Sequence, residues 1–412
     1  MDFLKKKIFM MLLVAVFSII FSFSKVSLEN VYNIGFLADT LDALHKEPLP
    51  APLENPPAIL KSVYATGWSA GSKSYLAYLQ SVFKTTQVNA VIIDVKDASG
   101  IVSYKTGAEL PKKYKAYYPK ISNVDALIKS FHNQGIYVIG RIVVFEDVAL
   151  ATNRPDLAVF DKSKTQDKSN PVTWQTKSGL LWLDPASEEV WDYNISVAKD
   201  ALKHGFDEIN FDYIRFPTDG NLDNMGFPVW DRKIPRHLVI KSFFQKIRES
   251  LMDAKISVDL FGQTTTNNDD MGVGQLFEDS LSYFDYVCPM VYPSHYASGF
   301  LGYQNPAEHP YDMVKYAVDG AVFRQKVYEK LQKANNTNDN TSLPSSAKAT
   351  EGKTKIRPWI QDFNLGALYN IDMVKQEIKA VEDSTGNDFS GFMLWNPRNF
   401  YTTGAVALTA AN

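Results

Sequence analysis

The chain has 412 residues, 45% hydrophobic and 22% charged, which supports a large core and excludes a disordered tail. With 43 Lys and Arg against 46 Asp and Glu the formal net charge is −3, and no basic block interleaves with aromatics, so a nucleic-acid binder is excluded. The single cysteine, Cys288, rules out an intrachain disulfide framework and a structural zinc site built on several thiolates.

The chain opens with Lys5-Lys6-Lys7 and an uncharged apolar run from Ile8 to Phe23. That run is shorter than the about 20 residues of a comfortable membrane span, so residues 1–24 are expected to be a signal peptide or signal anchor. The positive flank predicts an extracytoplasmic protein, secreted or held by an uncleaved segment, with possible single-pass membrane association. Residues 25–58 read as a spacer, because Glu47 to Ala58 packs in five prolines.

Residues 59–405 alternate short β-branched runs with amphipathic stretches, the pattern of βα units around a parallel sheet. Eight strands are predicted at Ser62–Trp68, Ala90–Lys96, Tyr137–Val144, Glu208–Ile214, Ile256–Phe261, Tyr286–Tyr292, Ile356–Asp362 and Gly391–Asn396. Helices are predicted between most of them, at Lys73–Lys84, Val124–Gln134, Ser187–His204, Leu238–Ala254, Tyr311–Lys333 and Met373–Asp383. The expected fold is therefore α/β, a (β/α)8 TIM barrel with long loops. An open doubly wound sheet is the alternative, disfavoured because no Gly-rich phosphate loop opens the first βα turn. Ala334 to Thr354, rich in Asn, Thr, Ser and Lys, reads as a low-complexity loop insertion.

In such a barrel the site lies at the carboxyl ends of the strands. Strand alternation puts Glu208, Asn210 and Asp212 on one face, and Asp212, last of the three, at the barrel mouth. Glu208 and Asn210 fit an internal polar layer better than catalysis, and an ion pair between Asp212 and Arg215 is the bland alternative for the mouth. Parity turns Asp259 inward on the next strand. Asp212 as nucleophile or base, Asp259 as acid and Glu146 as a further carboxylate are the candidate catalytic groups, since glycoside hydrolysis needs an ionised and a protonated carboxyl. Asp94, Lys96, Arg141, Arg215, His295, Asp362 and Asn396 are expected to contact substrate, although Asp94 and Lys96 can equally form a salt bridge that fills the barrel. Trp68, Tyr292, Trp359 and Trp395 are expected to stack on sugar rings. Six His without paired ligand spacing predict no metal site, and no cofactor is expected.

The runs Asn89 to Asp97, Gly205 to Pro217, Cys288 to Tyr296, Arg357 to Phe363 and Gly391 to Asn396 resemble a bacterial family described as glycoside hydrolases, over roughly Ser62 to Phe400. The D-Y-I-R-F-P run at Asp212 to Pro217 is the most specific element. The resemblance implies a TIM barrel related to retaining glycosidases with an aspartate nucleophile at the end of the fourth strand, the position Asp212 matches. The expected activity is hydrolysis of an extracellular or cell-envelope polysaccharide, with carbohydrate as the partner. Two rivals are a non-catalytic carbohydrate-binding barrel and a metal-assisted hydrolase or deacetylase gathering Asp94, Asp97 and Asp212 around a divalent ion.

Overall fold

The computed structural model describes residues 51–167, 169–338 and 353–408. The predicted export signal, the spacer up to residue 50 and residues 339–352 of the predicted insertion lie outside the described residues. No helix among the described residues is long and apolar enough to cross a membrane.

Eight parallel strands close into a barrel: β1 (Leu60–Ala65), β2 (Ala90–Lys96), β3 (Tyr137–Val143), β4 (Glu208–Asp212), β5 (Lys255–Phe261), β6 (Tyr286–Met290), β7 (Lys355–Ile356 and Trp359–Gln361) and β8 (Gly391–Trp395). Each strand pairs with the next, β8 returns to β1, and the ring is complete where Met290 of β6 meets Trp359 of β7. Pro358 lacks an N–H and splits β7 into its two pieces.

Six long helices follow strands on the outside: α1 (Lys73–Thr85), α2 (Val124–His132), α3 (Glu188–Lys203), α4 (Arg236–Ser250), α5 (Pro310–Asn338) and α6 (Ile371–Thr385). Their starts are written in the sequence. Asn123 accepts from the N–H of Ala126 at 2.9 Å and Asn370 from that of Met373 at 3.0 Å, satisfying amides a helix leaves open. On α2 the buried residues Val124, Leu127, Ile128 and Phe131 recur at helical spacing and face the sheet. Between β5 and β6 the helix shrinks to Phe277–Ser280. Ala334 to Asn338, predicted as loop, continue α5, and Thr354 donates its hydroxyl to Leu281 O at 2.6 Å, fixing the chain where β7 begins.

Two apolar layers result. One lies between strands and helices; the other, smaller, fills the barrel with side chains such as Leu60, Ile92, Ile139, Cys288 and Met393. Cys288 is a buried apolar filler. A final tie closes the mouth, where Tyr401, beyond β8, receives the N–H of Tyr64 on β1 at 2.8 Å on its hydroxyl oxygen.

Candidate active site

The inward face of β4 carries three polar groups at three depths, each held differently. Glu208, at the barrel floor, forms a fully buried ion pair with Arg357, and Ser257 donates to its Oε1 at 2.5 Å. Asn210, one layer up, donates to Ser257 Oγ at 3.1 Å and to Asp259 Oδ1 at 2.8 Å. These are the internal polar layers expected of that strand. Asp212 ends it. Tyr213 then takes φ 54°, a left-handed conformation costly for a bulky residue, and its N–H donates to Asp212 Oδ1 at 2.6 Å.

The partner of Asp212 is Arg141 on β3, not Arg215. Nε and Nη2 of Arg141 donate to Asp212 Oδ2 at 3.1 and 2.6 Å, while Nη1 donates to Asp94 Oδ1 at 2.6 Å. Tyr64 donates to the other Asp94 oxygen at 2.5 Å. Burial pushes the Asp94 carboxyl up, against the pull of the Arg141 charge. The two carboxylates outweigh the desolvation of Arg141 and fix its positive charge.

Asp259 lies beside Asp212, one step beyond the last ladder pair of the two strands, Phe211 opposite Val258. Its Oδ1 accepts from Asn210 and, at 2.7 Å, from Trp359 Nε1; its Oδ2 has no partner among the described residues. Burial first, then the charge of Asp212, push this carboxyl well above the usual range and favour its protonated form. A buried carboxyl oxygen without a partner is rare in native structures and requires an explanation.

These groups floor a cavity of about 470 Å³. Arg215 and Phe261 line it, as do Tyr292, His295, Trp359 and Trp395. Tyr292 packs on Trp395 at 5.3 Å between ring centroids and on His295 at 5.1 Å. Burial lowers the His295 pKa and keeps the ring neutral. Gly262 opens the wall: a Cβ there would stand 2.3 Å from Met290 O, so no side chain can enter.

The remaining expected residues fall elsewhere. Lys96 shares the parity of Asp94, but the ladder slips between them, with Asp94 opposite Arg141 and Lys96 opposite Ile142. That bulge turns Lys96 outward to Asp147 at 2.6 Å, so neither the expected Asp94–Lys96 pair nor a substrate contact forms. Trp68 lies on the short helix Gly67–Ala70 that Thr66 caps after β1, is 60% exposed, and packs on Tyr118 outside the cavity. Asp362 accepts the N–H of Thr402 at 2.7 Å and, with Asn396, lines a neighbouring cleft; burial lifts its carboxyl to about 6. Glu146, just beyond β3, does not line the cavity, and burial, opposed by Arg215, lifts it to about 7. Sequence reasoning missed Tyr64, whose alternation with Ser62 on β1 was a usable signal, and Met271, for which no pattern existed.

Among the described residues no His, Cys, Asp and Glu group can hold a metal ion, and the Arg141 guanidinium stands between Asp94 and Asp212 where the metal-assisted rival needs a cation.

Residues 62–401 match the model of a family described as "Putative glycosyl hydrolase domain". No curated protein matches. Among solved structures, a hypothetical protein from Ruminiclostridium thermocellum ATCC 27405 is 34% identical over 51% of this chain and 98% of its own, with a TM-score of 0.44. An alpha-galactosidase from Thermus thermophilus is 14% identical over 85% of this chain and 61% of its own, TM-score 0.46. The alpha-L-fucosidase isoenzyme 2 from Paenibacillus thiaminolyticus is 12% identical over 84% of this chain and 48% of its own, TM-score 0.50, a likeness of fold.

Proposed function

Because the chain belongs to the family described as "Putative glycosyl hydrolase domain", we propose that it cleaves glycosidic bonds with Asp212 as nucleophile and Asp259 as proton donor. The observation that carries this reading is the pair itself, the Arg141-bound carboxylate of Asp212 beside the Asp259 carboxyl, which burial pushes toward its protonated form, both lining the cavity. Asp212 attacks the anomeric carbon while Asp259 passes its proton to the departing oxygen; Asp259, now ionised, takes a proton from the water that releases the sugar. Neighbouring strands lie about 4.8 Å apart, and equal side chains at one level of them approach the roughly 5–5.5 Å carboxyl spacing of retaining enzymes. Retention of configuration is the expected outcome.

The substrate is a polysaccharide outside the cytoplasm, a reading supported by the apolar amino-terminal run and by the aromatic wall of Tyr292 and Trp395. Asp212→Asn keeps the shape of the side chain and removes its charge. Turnover of a glycan cleaved by the wild type is expected to fall by at least about 10³-fold, as loss of a nucleophile does. A variant cleaving at the wild-type rate overturns the mechanism, and glycan binding without turnover by the wild type itself would make the barrel a binding module.

A further inference from the structure

Arg215 is more than nine-tenths buried, lines the cavity, and has no carboxylate within salt-bridge reach among the described residues. Its guanidinium carbon sits over three rings, at 4.8 Å from Trp182, 5.0 Å from Tyr213 and 4.8 Å from Phe261. One nitrogen is spent on the protein, since Nη1 donates to Phe216 O and Thr218 Oγ1, each at 3.2 Å. Nε and Nη2 have no protein partner among the described residues, neither is among the sealed, unpaired polar atoms of the interior, and the residue lines the cavity.

The same edge is used on the neighbouring strand β3. Through the same pair, Nε and Nη2, Arg141 grips the Asp212 carboxylate. A desolvated guanidinium held flat by aromatic rings, with one fork open, is an arrangement suited to a planar or tetrahedral oxyanion. Among the described residues no carboxylate pairs with it: Asp212 is taken by Arg141, and Glu146 and Asp219 act on Arg215 only from beyond salt-bridge distance.

We propose that the open edge of Arg215 binds an anionic substituent of the sugar, so that the substrate is an acidic glycan carrying a carboxylate, sulfate or phosphate group. This rests on the glycosidase reading and narrows it. Burial of Arg215 weakens its hold on its own proton, and an incoming anion would restore it.

The test uses the full chain carrying Asp212→Asn, probed with saccharides in matched pairs: uronate oligosaccharides and their carboxyl-reduced forms, sulfated and desulfated forms, phosphorylated and dephosphorylated forms. At least one acidic member is expected to bind at least about tenfold more tightly than its neutral counterpart, the scale of one hydrogen bond to a charged group. Which pair shows the difference identifies the anion. Adding Arg215→Gln separates Arg215 from Arg141, which the first substitution partly releases, and is expected to abolish the preference; Arg215→Lys keeps the charge without the fork and restores only part of it. Equal binding within all pairs, binding of neutral members alone, no binding of any acidic member, or a preference that survives Arg215→Gln each overturns the proposal. The pairwise comparison stands even if the Arg215 variants fail to fold. Because binding is read on a variant designed not to turn over, failure of hydrolysis shows separately, as wild-type protein that leaves the bound saccharide intact.

Discussion

Glu146 offers a quantitative test of how the interior around the site is charged. Burial lifts its carboxyl from 4.5 to about 7, so between these values the folded protein holds a proton that the unfolded chain has released. Stability therefore falls as pH rises through this window, by 1.36 kcal/mol per pH unit, or about 3 kcal/mol over about 2.5 units. Below pH 4.5 both states are protonated and the penalty is absent. Glu146→Gln presents an uncharged group of the same shape at every pH. In urea denaturation followed from pH 4 to 8, the wild-type and variant curves should coincide at the acid end, and the variant should be more stable by about 3 kcal/mol above pH 7. A difference independent of pH, or a less stable variant at pH 8, refutes the reasoning. The same variant tests catalysis. With Asp259 as donor, Glu146→Gln should keep turnover within about tenfold; a loss of about 10²-fold or more, together with a vanished basic limb in the pH–rate profile, would make Glu146 the donor instead.

Asp259→Asn should abolish turnover and yet stabilise the fold at neutral pH, because the wild-type carboxyl is buried protonated and favours unfolding as pH rises above its unfolded value; thermal melts at pH 4 and 7.5 check the sign. Arg357→Met strands the Glu208 charge at the barrel floor and should cost about 3–5 kcal/mol in denaturant titrations, whereas Glu208→Gln with Arg357→Met should recover much of it. Gly262→Ala forces its methyl onto Met290 O and should reduce glycan binding in calorimetry and lower the melting temperature.

Much of the barrel was legible because its signals are local: alternation along β4 named Asp212 as the group at the mouth, and amphipathic stretches marked the helices. Strand ends were less so. Thr66 stops β1 by capping a turn, which carries Trp68 away from the cavity, and the left-handed Tyr213 stops β4 at Asp212. The bulge after Asp94 reverses Lys96, and a single slipped register is invisible to a period-two count. Arg141 was named as a substrate contact, yet its grip on Asp94 and Asp212 joins residues 47 and 71 positions away, pairings that one sequence does not encode as a pattern.

The tie between Tyr401 and Tyr64 has a consequence for biosynthesis. Tyr64 supports Asp94, Asp94 and Asp212 share Arg141, and so the last turns of the barrel hold the first strand in the posture on which Asp212, the proposed nucleophile, depends. A nascent polypeptide that has emerged only as far as Trp395 already contains every residue of the cavity, but it lacks the clasp. If the proposed activity depends on that posture, a chain cut short just after β8 is expected to form the barrel yet turn over glycan more slowly than the full chain.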